Sequence, residues 1–302
     1  MENNPLFNAG KGAVFNIAGQ NELEASVAVS KPPDGVSLPV SRRGAAVTLL
    51  KHVKNPILLA KELYLDQDKC PHPFVSGADA ERIAEEKGME LVDEKYFYTD
   101  GRWQEHRRGL GLPDEALTST SDGPPVYTGP LDLPELSKGT VGAVALDANG
   151  MLAVATSTGG KTNKNVGRIG DTPSMGSGFW SSSWPVEPSF LERIGLRFFS
   201  TPKSQGVAIS GTGDGDYYIR NAATYDVASR MMYLKEPVAK AAERVMQFLK
   251  TQKGAGGMIA VDELGNYAMP INCSCMFRGV ITPETSVARV AIWATDDLEE
   301  IK

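Results

Sequence analysis

Residues 139–160 read GTVGAVALDANGMLAVATSTGG, and this stretch decides the predicted fold. Val141–Leu146 and residues 152–156 are rich in small and β-branched apolar side chains, which favour strands. The sequence Asp147-Ala-Asn-Gly150 separates them, and Asn-Gly accepts the positive φ angles of tight hairpins. The stretch therefore predicts an antiparallel hairpin with Thr140 at its entrance.

Strand and helix patterns continue on both sides of this hairpin. Strands are predicted at residues 13–17, 22–29, 44–50, 206–210, 217–220, 258–261 and 267–270. Helices are predicted at residues 55–65, 79–87, 222–233 and 237–249, the last with its apolar side chains on one face. Antiparallel hairpins combined with paired amphipathic helices predict an α+β fold built in layers.

Two regions differ from these strands and helices, and residues 98–139 show no sustained period. Residues 98–139 are rich in Gly, Pro, Ser, Thr and charged residues, and they predict a flexible linker that is unusually long for a compact domain. Residues 181–205 contain Trp184-Pro185 and an apolar patch at 190–199. We interpret them as an insertion that covers part of the surface.

The composition narrows the classes of partner. The 302 residues are 41% hydrophobic, enough for a substantial core, and carry a net charge of −6. The chain has no long Lys/Arg run and no apolar run of about 18 residues, so neither nucleic acid nor a membrane is an expected partner. Three cysteines and the absence of a signal-peptide pattern favour a reducing, cytoplasmic location, and three histidines offer little for a zinc site.

The Gly139-Thr140 junction is the first candidate for chemistry. A threonine hydroxyl is a weak nucleophile unless a base lies beside it. Cleavage before Thr140 would release an α-amine with a pKa of roughly 7.7–8, which could act as that base. Glycine before the threonine suits self-cleavage, because a Cβ would hinder the strained backbone that this reaction needs. The dipeptide by itself also fits an ordinary threonine at the start of a strand.

Two further segments carry residues suited to binding and catalysis. Arg168 and Asp171 could bind the carboxylate and ammonium groups of an amino acid, or they could form a surface ion pair. Residues 210–216, SGTGDGD, could form an oxyanion hole, a plain hairpin turn or a phosphate loop. A phosphate loop would require a lysine and a following helix, and Asp214 and Asp216 would repel phosphate.

Taken in order, these segments resemble the plant-type asparaginase and isoaspartyl peptidase family, to which glycosylasparaginases and taspase are related. The likeness continues at residues 4–13, 22–25, 53–57, 71–72, 256–260 and 276–279, so it covers nearly the whole chain. It implies an N-terminal-nucleophile hydrolase with a four-layer αββα sandwich. It also implies cleavage between Gly139 and Thr140, with residues 1–139 as the α subunit and 140–302 as the β subunit.

The resemblance assigns catalysis to residues of these motifs. Thr140 would be the nucleophile, and Thr158 would hydrogen-bond to it and help orient it. Asn8 would support the nucleophile region. Thr212 and Gly213 would form the oxyanion hole through a hydroxyl and a backbone N–H.

The resemblance also implies how a substrate is bound. Arg168 would hold the α-carboxylate and Asp171 the α-ammonium, with Thr212, Gly213 and Gly215 completing the substrate loop. The implied substrates are L-asparagine and β-aspartyl dipeptides, and processed αβ units would associate as a dimer. No organic cofactor is implied, although the backbone near Asn8 would wrap a structural sodium ion.

The resemblance has one gap and leaves alternatives open. Family members carry roughly sixty residues before the segment that matches Met1, including a core strand and a His-Gly-Gly loop beside the cleavage site. The chain is therefore expected to be incomplete at its N-terminus, and a non-catalytic remnant that does not mature is one alternative. A glycosylasparaginase-like hydrolase is another, because residues 213–216, GDGD, resemble that branch, whereas residues 158–160 resemble the asparaginase branch.

Overall fold

A computed structural model describes residues 1–66, 70–114, 139–186, 204–285 and 287–300. Two β-sheets lie face to face, and helices cover the outer face of each. The fold is therefore α+β, with the four layers αββα that the sequence predicts.

The first sheet has five strands in the order β3-β2-β1-β5-β4. Neighbouring strands are antiparallel except β2 and β3, which are parallel. The strands are β1 (Leu23–Val29), β2 (Gly44–Leu50), β3 (Phe74–Ser76), β4 (Val141–Leu146) and β5 (Leu152–Thr158). Helices α1 (Pro56–Leu65) and α2 (Gly77–Glu86) pack on its outer face, where Val47, Leu59 and Ala80 are fully buried.

The second sheet is antiparallel, with the order β6-β7-β8-β9. Its strands are β6 (Phe179–Pro185), β7 (Ser204–Gly213), β8 (Gly256–Asp262) and β9 (Tyr267–Ala268). Helices α5 (Ala223–Leu234) and α6 (Val238–Thr251) cover its outer face, because Ala241, Val245 and Leu249 form the buried stripe predicted for α6.

Shorter elements complete the described chain. Helix α3 (Asp100–Gly109) follows the first helical layer, and helix α4 (Gly215–Asn221) directly follows β7. A small third sheet is formed by β10 (Cys275–Val280), β11 (Arg289–Trp293) and β12 (Glu299–Glu300). Every helix in the described part of the chain is too short or too polar to cross a bilayer.

The layer between the two large sheets changes character along its length. At one end Val154, Phe179 and Ala208 form a buried apolar cluster. Since side chains two residues apart share a face, Thr156 and Thr158 continue the face of Val154 at the other end, and both are buried. Buried polar groups require hydrogen-bond partners or a function, so this end is the candidate for a site.

Two strand predictions need correction, the first at residues 13–17. These residues form no strand, because side chains bond their backbone groups in place of a ladder. Asn8 Oδ1 accepts from the Val14 N–H at 3.0 Å, and Asn21 Nδ2 donates to the carbonyls of Ala13 and Val14. Residues 217–220, predicted as a strand, belong to α4, which buries Tyr218 against the second sheet.

The prediction for residues 181–205 was wrong at both of its described ends. Residues 181–185 belong to β6 and residues 204–205 to β7, so they lie inside the second sheet and are no surface insertion. Along β6 each face of the strand mixes serine with aromatic side chains, so neither face gives a clear apolar signal. Residues 187–203 lie outside the described part of the chain.

The linker prediction for residues 98–139 was wrong for residues 100–109, which form α3. The Thr99 hydroxyl caps this helix by accepting from the Arg102 N–H at 3.3 Å. The helix dipole interacts favourably with Asp100 in the first turn and with Arg107 and Arg108 in the last turn. Because so many residues of this helix are charged, its sequence lacks a clear apolar period. Residues 115–138 of the predicted linker lie outside the described residues.

Candidate active site

Thr140 lies at the open end of the β4–β5 ladder. Val141 pairs with Ser157 and Gly142 with Thr156, and continuing this antiparallel register by one residue places Thr140 beside Thr158. On the other side of β5, Glu24 of β1 pairs with Thr158, so Glu24 lies in the same row across the sheet. The two threonines predicted to act together are therefore neighbours across the sheet.

Thr212 brings a hydroxyl from the second sheet to the Gly139–Thr140 bond. Its Oγ1 lies 3.0 Å from the position that a Cβ on Gly139 would take. This oxygen is buried and has no hydrogen-bond partner among the described residues. A hydroxyl that is free of partners beside a peptide bond can donate to a negative charge that develops there.

Gly213 follows Thr212 with a backbone angle that a side chain would strain. Its φ is +139°, and a Cβ there would lie 2.5 Å from the Gly256 Cα. Glycine at this position lets β7 run close to β8 and brings the Thr212–Gly213 backbone to the edge of the site. Gly215, two residues later, lacks a Cβ where the carboxylate of Asp171 approaches.

Arg168 and Asp171 lie together in the loop after β5, as the sequence predicts. Arg168 Nη2 donates to Asp216 Oδ1 at 2.7 Å, and the arginine side chain is 20% exposed. Asp171 is buried, and its Oδ2 has no partner among the described residues. The two residues thus present a guanidinium and an unsatisfied carboxylate at one end of the site. In a surface ion pair, by contrast, the two charges would satisfy each other.

The buried position of Asp171 changes its acidity. The pKa of this carboxyl is raised from 3.8 to about 7, mainly by burial and also by the charges of Glu24 and Asp216, against the opposing effects of a backbone hydrogen bond and of Arg168. A ligand ammonium would supply the positive charge that this group lacks. A strongly shifted, unpaired carboxyl in a cleft is typical of a functional site.

Asn8 holds the backbone that follows Thr158. Its side-chain Nδ2 donates to the Gly160 carbonyl at 2.8 Å, and its backbone carbonyl accepts from the Gly159 N–H at 3.1 Å. The Thr158 Oγ1 in turn accepts from the Gly160 N–H at 3.0 Å. Asn8 therefore lies behind Thr158, one step removed from Thr140.

A second level of hydroxyls lies beneath the first. Thr156 Oγ1 and Ser210 Oγ are 2.9 Å apart and join the two sheets by a hydrogen bond. Ser210 occupies the space that a Cβ on Gly142 would need. This pair was not predicted from the sequence. The spacings Thr156-x-Thr158 and Ser210-x-Thr212 were the available signal, because each places two hydroxyls on one face of a strand.

A cavity of about 60 Å³ lies beside Thr140. It is lined by Thr140, Gly142, Ser210, Gly211, Thr212, Met258, Ile259, Met276 and Phe277. The lining combines hydroxyl groups with apolar side chains, so a small polar group in the cavity could meet the threonines.

Three charged residues, Glu22, Glu24 and Lys164, lie behind the loop that carries Arg168. No role was predicted for them from the sequence. All three are buried. Burial raises the pKa of Glu24 and lowers that of Lys164, and each opposes the shift of the other through its charge. Buried acidic residues at alternate positions of a strand, as in Glu22-x-Glu24, were the available signal.

Comparisons with known proteins agree with this geometry. A model of the asparaginase family matches residues 1–184 and 202–291. The isoaspartyl peptidase of Escherichia coli is 38% identical over 96% of this chain and 79% of its own length. A putative isoaspartyl peptidase/L-asparaginase of Dictyostelium discoideum is 33% identical over 93% and 77%, and the isoaspartyl peptidase/L-asparaginase of Mus musculus is 34% identical over 88% and 68%. The chain belongs to this asparaginase family of N-terminal-nucleophile hydrolases, whose members use no organic cofactor.

Proposed function

We propose that the protein is an amidohydrolase that cleaves itself between Gly139 and Thr140 and then uses Thr140 to hydrolyse the side-chain amide of L-asparagine or the β-aspartyl bond of isoaspartyl dipeptides. The observation that carries the proposal is the free Thr212 hydroxyl beside the Gly139–Thr140 bond, opposite the Thr140–Thr158 pair. The printed names of the relatives, isoaspartyl peptidase and L-asparaginase, describe the same reactions.

Self-cleavage is the first step of the proposal. The Thr140 hydroxyl attacks the Gly139 carbonyl carbon, and the amide bond becomes an ester after the nitrogen takes the hydroxyl proton. The Thr212 hydroxyl stabilises the negative oxygen of the intermediate. This shift already frees the Thr140 amine. Water then hydrolyses the ester, which leaves Gly139 as a C-terminus and restores the Thr140 hydroxyl. Residues 1–139 and 140–302 become the α and β subunits.

The freed amine is the base for the hydrolytic reaction. It accepts the proton of the Thr140 hydroxyl as this oxygen attacks the substrate amide carbon. Ammonia or the amine of a dipeptide leaves with that proton, and an aspartyl ester remains on Thr140. Water hydrolyses the ester, with the amine again accepting a proton. Thr212 and the Gly213 N–H stabilise the oxyanion in both halves of the reaction.

The residues that orient the substrate lie at the other end of the site. Arg168 binds the α-carboxylate, and the unpaired carboxylate of Asp171 binds the α-ammonium, with Gly215 giving room for that contact. Thr158 orients Thr140 from the neighbouring strand, and Asn8 supports Thr158 through Gly159 and Gly160.

We also propose that a structural sodium ion binds the loop that contains Asn8. The carbonyl oxygens of Pro5 and Phe7 both approach Gly12 and therefore lie close to each other. Carbonyl oxygens are suitable ligands for a hard cation. The ion would hold the loop that supports Thr158, and it would take no part in bond making. We further propose that processed αβ units associate as a dimer.

An activity assay tests the proposal. Purified protein is incubated with L-asparagine and separately with β-aspartyl-leucine, and released ammonia or leucine is measured. Both the wild type and a Thr224→Val control, which alters a buried threonine outside the site, are expected to be active, whereas Thr140→Ala is expected to be inactive. Product release by Thr140→Ala at the wild-type rate would overturn the proposal.

A further inference from the structure

Two buried carboxylates hold the loop that carries Arg168. Glu22 Oε1 accepts from the Gly167 N–H at 3.0 Å, and Glu24 Oε1 accepts from the Gly170 N–H at 2.9 Å. These two amides flank Arg168, so the short segment between them is fixed at both ends. Glu22 immediately precedes β1 and Glu24 lies within it, and both side chains reach the same loop.

The two carboxylates differ in what their second oxygen meets. Glu22 Oε2 accepts from Asn16 Nδ2 at 3.0 Å, so both of its oxygens are used. Glu24 Oε1 also accepts from the Thr48 hydroxyl, but Glu24 Oε2 is buried without a partner among the described residues. A buried, unsatisfied carboxylate oxygen is costly, which calls for a compensating role.

The free oxygen of Glu24 faces the guanidinium of Arg168 across Gly170. A Cβ on Gly170 would lie 2.8 Å from Arg168 Nη1 and 2.9 Å from Glu24 Oε2. Because glycine leaves this space open, the charges of Glu24 and Arg168 attract each other with no side chain between them. The other edge of the guanidinium donates to Asp216. Arg168 is therefore held between an interior carboxylate and an exposed one.

Lys164 balances the negative charge behind the loop. Its Nζ donates to the Glu22 carbonyl at 2.8 Å and is buried with both carboxylates. With one lysine for two glutamates, the group remains net negative, and Arg168 supplies the second positive charge. The orientation of Arg168 is thus tied to the charge state of Glu24.

We propose that Glu24, assisted by Glu22, is a positioning residue that sets where the Arg168 guanidinium meets the substrate carboxylate. This rests on the proposed function of Arg168 as the carboxylate-binding residue. Glu24 touches no substrate and acts through the Gly170 N–H and through the charge that it presents to Arg168. Since Arg168 would bind the carboxylate equally in the ground and transition states, misplacing it should raise KM and leave kcat nearly unchanged.

The first variant removes the charge and keeps the size. In Glu24→Gln, KM for L-asparagine is expected to rise about tenfold or more, with kcat within about threefold of the wild type. The matched control is Glu236→Gln, since Glu236 is a buried carboxylate that pairs with Arg230 and Arg244 away from the site. This control is expected to lower the melting temperature and leave KM unchanged.

A second variant guards against misfolding of the first. Gly170→Ala places a methyl group between Arg168 and Glu24 and is expected to raise KM in the same way. The proposal is overturned if KM stays at the wild-type value in either variant while the melting temperature or kcat falls. The role of Glu24 would then be structural.

Hydrogen exchange separates this proposal from the proposed function. Amide exchange of a peptide covering residues 166–172 is measured by mass spectrometry for the wild type, Glu24→Gln and Glu236→Gln. Exchange about tenfold faster in Glu24→Gln, and unchanged in the control, supports the positioning role even if the wild type hydrolyses no asparagine. Equal exchange in all three proteins contradicts it, whatever the activity of the wild type.

Discussion

Toward one end of β4 and β5 the inner faces of the strands carry Val144 and Val154, which pack with Phe179, whereas toward the other end they carry Thr140 and Thr158. The register is continuous between the two ends. One hairpin therefore supplies apolar burial at one end and candidate catalytic groups at the other. Stability and chemistry can then be altered separately, although the residues concerned are neighbours on the same strands.

The largest effect is expected at the polar end. Thr212→Val keeps the shape of the side chain and removes the hydroxyl near Gly139. Loss of one such donor is expected to lower kcat about 100- to 1,000-fold and to slow self-cleavage, measured by ammonia release and gel electrophoresis. Thr224→Val removes another buried hydroxyl that has no partner among the described residues and should leave both rates unchanged. Equal rates in the two variants would contradict the role of Thr212.

The apolar end should show the opposite pattern. Leu152 is fully buried between the sheets, so Leu152→Ala is expected to reduce the free energy of unfolding by about 3 kcal/mol through lost burial and a cavity. Denaturant unfolding measures this loss, and KM and kcat of the folded protein should remain at wild-type values. A large change in KM without a loss of stability would show that the two ends are not separable.

Asp171 should link stability to pH. Its pKa is raised from 3.8 to about 7 by burial, so the folded state favours the protonated acid and loses stability as pH rises between these values. Asp171→Asn removes the ionisable group and is expected to stabilise the protein by about 2 kcal/mol at pH 8, with little difference at pH 4.

Two measurements check this pH dependence. Thermal unfolding at both pH values tests the stability difference, and equal melting-temperature shifts at pH 4 and pH 8 would contradict the assignment. The wild-type KM should fall as pH rises through 7, because the ionised carboxylate of Asp171 is the form that attracts a substrate ammonium.

The smallest effect is expected at the second hydroxyl level. Ser210→Ala leaves the Thr156 hydroxyl without its 2.9 Å partner and should cost about 1 kcal/mol of unfolding free energy. Adding Thr156→Val should recover part of this loss, because both polar groups are then removed together. Additive losses in the double variant, measured by denaturant unfolding, would show that the two hydroxyls are not coupled.

Much of the fold follows from local patterns. The Asn149-Gly150 turn, the small and β-branched residues of β5 and the apolar stripe of α6 are local features, and the structure agrees with the prediction at all three. The exceptions depend on distant partners. Residues 13–17 lose strand pairing to the side chains of Asn8 and Asn21, and no local pattern contains those contacts.

In the candidate site, too, the residues in local motifs were predicted, and those that depend on distant contacts were not. Arg168, Asp171, Thr212 and Gly213 were identified from motifs. The structure brings Thr212 to Gly139 and places Arg168 and Asp171 beside Gly215, and the roles of these residues remain predictions. Glu24 and Ser210 were not identified, because their significance comes from strands that meet only in the folded sheets. Cross-strand register is set by tertiary pairing, so these groups become visible only when the strand order is known.

The intact mass of the purified protein tests the central claim most directly. The account predicts two polypeptides, with masses that correspond to residues 1–139 and 140–302, and a single uncut chain for Thr140→Ala. A wild-type protein that remains a single chain after prolonged incubation, or that is cut at another bond, would contradict the assignment of Thr140 as an N-terminal nucleophile.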